Sequence, residues 1–404
     1  MIAIALALSL QDFEWARALD EADLSWTWGP LTVDVGGELD LELFAYGDEA
    51  PGVSVEDAAL RSDHYKRPGQ ADSAEGGGRL KLTLDGALGE RITWFFEGRI
   101  DHGAPFDEGE AVGARVEQAW AEAALVDDAA LDLRLGKFAP PLGNFLPRHQ
   151  PRQNPFVTFP LPYDHITTFM QPADTAAAVL GRRARADVKD WRVPIYREVY
   201  GVGGQLSGQA GPATWAVALT NSAPGTWAFD WTGDVPTIYL RGTWAIDGSA
   251  TAGASFSKGS YNKDDADGIP SDREASDFPQ TLAGLDLQWA SGDLDVFAEL
   301  IWTRFETPNV DDLDLWSWYV EAKYTLLPGL FGAARVAGMA FGEIEDAAGV
   351  SRHWDRNTWR LELGAGYFFT RNLFLKVTGQ LNQRSGKGRD PDDDLLALQL
   401  GLTF

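Results

Sequence analysis

The sequence predicts an all-β fold, a transmembrane antiparallel up-and-down β-barrel of about 16 strands with its long third loop folded into the lumen. Three observations predict it. The last ten residues, Leu395-Leu-Ala-Leu-Gln-Leu-Gly-Leu-Thr-Phe404, alternate large apolar with small or polar side chains and end on an aromatic. About sixteen segments share this period-2 pattern. The links between those segments alternate strictly between short and long.

Taken in order, candidate strands fall at 31–47, 77–86, 90–101, 113–127, 130–138, 197–208, 212–222 and 235–247. They continue at 248–260, 280–290, 292–306, 313–326, 330–344, 357–369, 371–384 and 393–404. The short links are Gly86–Gly89, Asp127–Ala129, Gly208–Gly211, Asp247–Ser249, Ser291–Gly292, Pro328–Gly329 and Thr370–Arg371. Long links that are acidic or rich in Gly and Pro lie between them, around 48–76, 102–112, 139–196, 223–234, 261–279, 307–312, 345–356 and 385–392. Tight turns at one rim and long loops at the other, on an even strand number, suit a closed barrel. A soluble sandwich has no reason to sort its links.

Successive strand side chains point to opposite faces. In 371–384, Leu373, Leu375, Val377, Gly379 and Leu381 oppose Lys376, Thr378, Gln380, Asn382 and Arg384. In 90–101, Ile92, Trp94, Phe96 and Ile100 oppose Arg91, Thr93, Phe95, Glu97, Arg99 and Asp101. A charged face could equally be the wet outside of a soluble sheet. Repetition over every strand, with sorted loops, favours a watery lumen and an oily exterior.

Composition agrees. Sixteen Trp and 43 Gly stand beside 21 Phe and 10 Tyr, and barrels set Trp and Tyr in girdles at the two interfaces. Cys is absent, which excludes disulfides and thiolate metal sites. The net charge of −26 excludes nucleic acid, whose binding needs Lys and Arg. No apolar run approaches the ~20 residues of a membrane helix. Met1–Leu10 (MIAIALALSL) is apolar without a basic start. Residues 1–30 are therefore read as a signal remnant and N-terminal periplasmic segment, and 31–404 as the barrel. A short buried strand or helix is the alternative at the N-terminus.

The segment 140–194 is by far the longest non-strand stretch, and long loops are usually functional. Nine prolines stiffen it, and Phe145, Phe156, Phe159, Tyr163 and Phe169 can anchor it to an inner wall. It holds Arg148, Arg152, Arg182, Arg183, Arg185, Lys189 and Arg192 against Asp164, Asp174, Asp187 and Asp190, seven minus four or +3. Arginine rings favour anions in a pore. Arg91, Arg99, Arg134 and Lys137 on neighbouring strands are the wall residues expected to join Arg148, Arg152, Arg182, Arg183 and Arg185 at a constriction. Glu97, Asp101 and Asp132 on the same strands leave a crossed field of opposing charges equally open. The loop could also cap the barrel from outside or pack between subunits.

Leu131-Asp-Leu-Arg-Leu-Gly-Lys-Phe-Ala-Pro-Pro-Leu-Gly143 resembles the strand-to-loop signature of phosphate-selective porin O/P-type proteins. Gln118-Ala-Trp-Ala-Glu-Ala123 resembles the strand before it. The terminal Phe404 is similar to the signal by which Gram-negative outer-membrane proteins are recognised for assembly. The resemblance implies a sixteen-stranded homotrimeric outer-membrane channel passing small hydrophilic solutes or ions by diffusion. It implies lipopolysaccharide and the barrel-assembly machinery as partners, the latter through Phe404. The family's basic ladder is not found, so phosphate is not carried over. The stretch Arg148–His165 departs from the family and points to a separate branch.

Five His (His64, His102, His149, His165, His353) fall in expected long loops, without zinc-type spacing. No enzyme and no cofactor are expected. A surface hydrolase and a structural or adhesive barrel are the competing classes. Asp264-Asp-Ala-Asp-Gly268 lacks the spacing of a Ca²⁺ loop, though acidic outer loops can collect Ca²⁺ or Mg²⁺.

Overall fold

The computed structural model describes residues 24–46, 74–103, 112–126, 131–165, 175–183, 200–221, 223–226, 235–262, 268–385 and 394–404, with Thr167, Phe169, Ile195 and Tyr196. The strands are β1 (Ser25–Trp28), β2 (Leu31–Tyr46), β3 (Ala74–Leu88), β4 (Ile92–Gly103), β5 (Val112–Val126) and β6 (Leu131–Phe138). Next come β7 (Gly201–Ala210), β8 (Ala213–Thr220), β9 (Thr237–Ala245), β10 (Ala250–Ser260), β11 (Pro279–Ser291) and β12 (Leu294–Phe305). The remainder are β13 (Leu313–Leu327), β14 (Leu330–Phe341), β15 (Glu343–Glu345), β16 (Ser351–His353), β17 (Thr358–Phe368), β18 (Leu373–Arg384) and β19 (Leu395–Thr403).

Sixteen of them, β2–β14 and β17–β19, pair in sequence order into one antiparallel ring. β19 closes it on β2 through pairs such as Gln399↔Glu42. All sixteen expected strands are present, their ends moved by up to four residues (197 against 201 for β7). Gly29, Gly89, Gly211, Gly292 and Gly329 take positive φ at the short-turn rim, where a side chain would be strained.

Three features depart from expectation. Within the N-terminal segment, Ser25–Trp28 pairs with Leu31–Asp34. β1 thus continues the row that β19 leaves at Phe404, whose backbone bonds Gly37 at 2.9 and 3.0 Å. β15 and β16 form a separate hairpin that takes the end of the expected strand 330–344 and part of the link expected around 345–356. The third long loop carries a 3₁₀ turn (Leu146–Arg148), α1 (Leu161–Asp164) and α2 (Ala176–Arg183).

The two faces of the wall sort as the alternation requires. Leu39, Leu41, Leu43, Leu396, Leu398 and Leu400 are exposed on the outside. Trp244 and Trp289 lie near the short-turn rim, and Trp316 and Trp359 near the loop rim. Phe404 rests outward against Gly37, where any Cβ would strike its ring. The inner face carries Asp40, Arg79, Arg99, Glu299, Glu321, Arg335 and Glu362, all buried. The apolar core lies within the ring, where Phe145, Phe159, Leu161, Tyr163 and Tyr196 of the third loop meet Ile301, Phe305, Tyr319 and Phe341 of the wall.

Candidate functional site

The interior is shaped by where β6 stops. Its last pairs with β5 include Ala119↔Lys137, so Val112–Gln118 continues without a β6 partner. The chain turns inward after Phe138, and Lys137 fills the gap by donating to the carbonyl of Val116 at 2.9 Å. An unpaired wall carbonyl would otherwise be costly in an apolar setting.

The loop then crosses the lumen on buried polar anchors. Asn144 N–H and Phe145 N–H donate to the Glu299 carboxylate of β12, as does the Tyr163 hydroxyl. Arg148 pairs with Glu321 of β13 at 2.5 Å and donates to Tyr319 at 3.0 Å. Arg335 of β14 joins Glu321 (3.0 Å) to Glu362 of β17 (2.5 Å) and donates to the Thr158 carbonyl at 2.8 Å. Arg360 pairs with Asp164 at 2.6 Å. On β18, Thr378 accepts from Val157 N–H at 2.9 Å, and Lys376 donates to three loop carbonyls. Charges buried this completely must be paired or hydrogen-bonded, and here the loop supplies many of the partners.

The opposite wall is organised differently. Lys81, Arg99 and Arg115 occupy one row across β3, β4 and β5. Arg79 pairs with Asp40 at 2.9 Å. Arg99 pairs with Asp101 at 2.6 Å and lies 3.8 Å from Glu117, which also receives Arg115. Gln150 at the loop's bend accepts from Lys81, bringing the bend up to this wall. Pro147, Arg152 and Gln153 stay exposed beside it.

The nine expected basic residues are distributed as follows. Arg91 is exposed in the turn between β3 and β4. Arg99 lies in the basic row. Arg134 pairs with Glu122 at 2.8 Å and lies 4.1 Å over the Trp120 ring. Lys137 plugs the wall gap. Arg148 sits 3.9 Å over Phe297, and Arg152 is the loop cation left exposed at the bend. Arg182 and Arg183 end α2, with side chains outside the described set, and Arg185 lies outside the described residues. Lys81, Arg115, Arg335 and Arg360 escaped the sequence reading. Their one signal is alternation, which places a charge on the inner face without naming its partner.

Burial pushes the Asp164 carboxyl up to about 6 despite Arg360 beside it. Burial also lowers His165, whose Nε2 lies 3.7 Å from Asp355. His149 bonds Tyr200 at 3.0 Å, and His353 bonds the Phe341 carbonyl at 2.7 Å. His102 falls within β4, not in a loop. His64 and most of Asp264–Gly268 lie outside the described residues. Among the described residues no group of three His, Cys, Asp or Glu is placed to hold a metal ion.

No family model matches the chain, and no curated protein matches it in sequence. Solved structures do match in shape. OmpF of Salmonella typhi, in complex with daunomycin, superposes with a TM-score of 0.58 at 13% identity, covering 94% of this chain and 100% of that one. An anion-selective porin from Comamonas acidovorans gives 0.55 at 13%, covering 92% and 99%. The outer-membrane channel DcaP of Acinetobacter baumannii gives 0.59 at 12%, covering 94% and 99%. At such identities the likeness establishes the fold, a closed sixteen-stranded antiparallel barrel of the kind built by Gram-negative outer-membrane porins.

Proposed function

We propose that the chain is a pore of a Gram-negative outer membrane through which small hydrophilic solutes and ions diffuse. The opposite character of the two barrel faces supports this best. Leu and Trp look outward, and buried charges line an interior narrowed by the third loop. The eyelet in this reading is bordered by exposed Arg152 and Gln153 of the loop bend and by half-buried Arg115 of β5. Buried Lys81 and Arg99 stand behind them in the wall. Passage needs neither catalysis nor a cofactor.

The finer readings follow from the same residues. Anion preference is supported by the basic row, by exposed Arg152 and by likeness to one anion-selective porin. Glu97, Asp101 and Glu117, interleaved with that row, favour a crossed field instead. Phosphate selectivity of the O/P type is not carried over, since the family's basic ladder is not found in the sequence. A homotrimer follows from the sequence resemblance. Lipopolysaccharide, with Ca²⁺ or Mg²⁺ bridging its phosphates at acidic outer loops, is the proposed partner at the loop rim. The assembly machinery would engage Phe404.

Recording from planar bilayers in asymmetric KCl tests the proposal. Stepwise conductance is expected, and the sign of the reversal potential separates anion from cation preference. Block of the chloride current by inorganic phosphate would reinstate phosphate selectivity. A protein that inserts without conducting would favour a structural or adhesive barrel, a reading suggested by the dense packing around the loop.

A further inference from the structure

We propose that Lys376 positions the loop bend at 150–156 and so presents Arg152 to the channel, making the eyelet's ion preference depend on a side chain that does not line it. The inference rests on the pore reading and extends it.

Lys376 rises from the inner face of β18 and is 2% exposed. Its ammonium donates to the carbonyls of Pro151 (2.6 Å), Asn154 (3.0 Å) and Phe156 (3.1 Å). An ammonium carries three donors on a compact charge, and here all three are used on one bend. Lys376 makes no ion pair among the described residues; its direct partners are the three carbonyls, with Asp40, Glu42 and Glu38 of β2 acting on its charge from farther off. The bend is closed locally by Gln153 N–H and Asn154 N–H, both donating to Gln150, and by Asn154 Nδ2 donating to Thr158. Those bonds fix its shape. Lys376 fixes its place.

The wall is carved to admit this contact. On β17, a Cβ at Gly364 would stand 3.0 Å from the Phe156 ring, whereas one at Gly366 would strike the Phe331 ring before it met Lys376 Cγ. Across the lumen the same bend is tied to β3 through Lys81 and Gln150. Between these two attachments, Pro151 and Asn154 are buried while Arg152 and Gln153 are exposed. Arginine cannot replace the lysine, because a planar guanidinium does not direct three donors to carbonyls gathered round one point.

The experiment is a double-mutant cycle in planar bilayers. Arg152→Gln should shift the reversal potential in the otherwise native protein. In Lys376→Met and Lys376→Arg backgrounds the same change should shift it by less than about a third as much. Lys376→Arg keeps the charge, so a purely electrostatic role for Lys376 would leave the Arg152 effect intact there and overturn the proposal. The chain has no cysteine, so Gln153→Cys is a single reporter for a charged thiol reagent. Its labelling rate should change at least about threefold in either Lys376 variant, as a local loosening requires. An unchanged rate overturns the positioning of the bend, whether or not the protein conducts. A silent native channel with a changed labelling rate overturns the eyelet reading and leaves the positioning upheld. Should Lys376→Met fail to fold, Lys376→Arg and Gly364→Ala, which crowds Phe156, carry the same measurements.

Discussion

The two sides of the lumen use the same residue types to different ends. On β12–β18, Glu299, Glu321, Arg335, Arg360, Glu362 and Lys376 bond the third loop directly or through one another. On β2–β5, Asp40, Arg79, Arg99, Asp101, Arg115 and Glu117 bond mainly one another. Both sets are buried, except that Arg115 is half-buried. The first set is a seat for a loop, whereas the second is a charged lining whose ion pairs among the described residues lie within the wall, with Lys81 beside it as the link to the loop at Gln150. Charge on an inner face therefore does not by itself mark a channel wall, since its partners decide its role.

Removing one arginine from each side sharpens the contrast most. Arg335→Met leaves Glu321 and Glu362 buried with fewer partners and frees the Thr158 carbonyl. Breaking such a buried pair costs about 3–5 kcal/mol. Arg115→Met leaves Glu117 with Arg99 and removes a side chain that is only half-buried, so the loss there should be about 1–3 kcal/mol. Urea unfolding in detergent, followed by the gel shift between folded and unfolded barrels, measures both. Equal losses would erase the distinction.

An acid–base test bears on the seat alone. Asp164, with Arg360, Glu362 and Arg335 acting on it and His165 next to it in the chain, is pushed by burial up to about 6 from the ordinary 3.8. A raised carboxyl contributes stability that is complete below 3.8 and lost as pH rises through about 6. His165 is depressed from 6.5, so its contribution is present above 6.5 and lost as pH falls through its lowered value. The two neighbours oppose one another. His165→Asn should therefore expose the Asp164 dependence, with loop anchoring weakening as pH rises from 3.8 to about 6. Labelling of Gln153→Cys with a pH-tolerant thiol reagent reads it. A flat profile in that variant would show that Asp164 is not part of the seat.

Local chemistry was legible in the sequence to a depth that these partnerships were not. Alternation is a property of neighbours, so every ring strand and the outward run Leu396–Phe404 could be read directly. Turn glycines marked the short rim for the same reason. The length and prolines of 140–194 announced a loop with a role. Its seat, however, is made by residues far along the chain, Arg148 with Glu321 and Thr158 with Glu362. Nothing in a period of two says which inner charge will meet which loop atom. β1 was missed because four residues carry too little alternation to be distinguished from a linker. Arg335 and Arg360 were missed because they look like any other inward charge.

The smallest expected effect is also the cleanest, since it involves no charge. Thr378 on the seat accepts from Val157 N–H at 2.9 Å, and Thr83 is its counterpart on the inner face of β3, with no bond to the loop among the described residues. Thr378→Val leaves a buried backbone donor without an acceptor, a cost of about 1–3 kcal/mol. Thr83→Val removes a wall hydroxyl and should stay within about 0.5 kcal/mol. Hydrogen exchange at the Val157 amide reports the difference residue by residue: Thr378→Val should speed it by about tenfold, because 1.4 kcal/mol is one decade in an opening equilibrium. Thr83→Val should leave it unchanged. If both substitutions speed exchange alike, the loop is held by the closure of the whole ring, and the division of the lumen into seat and lining fails.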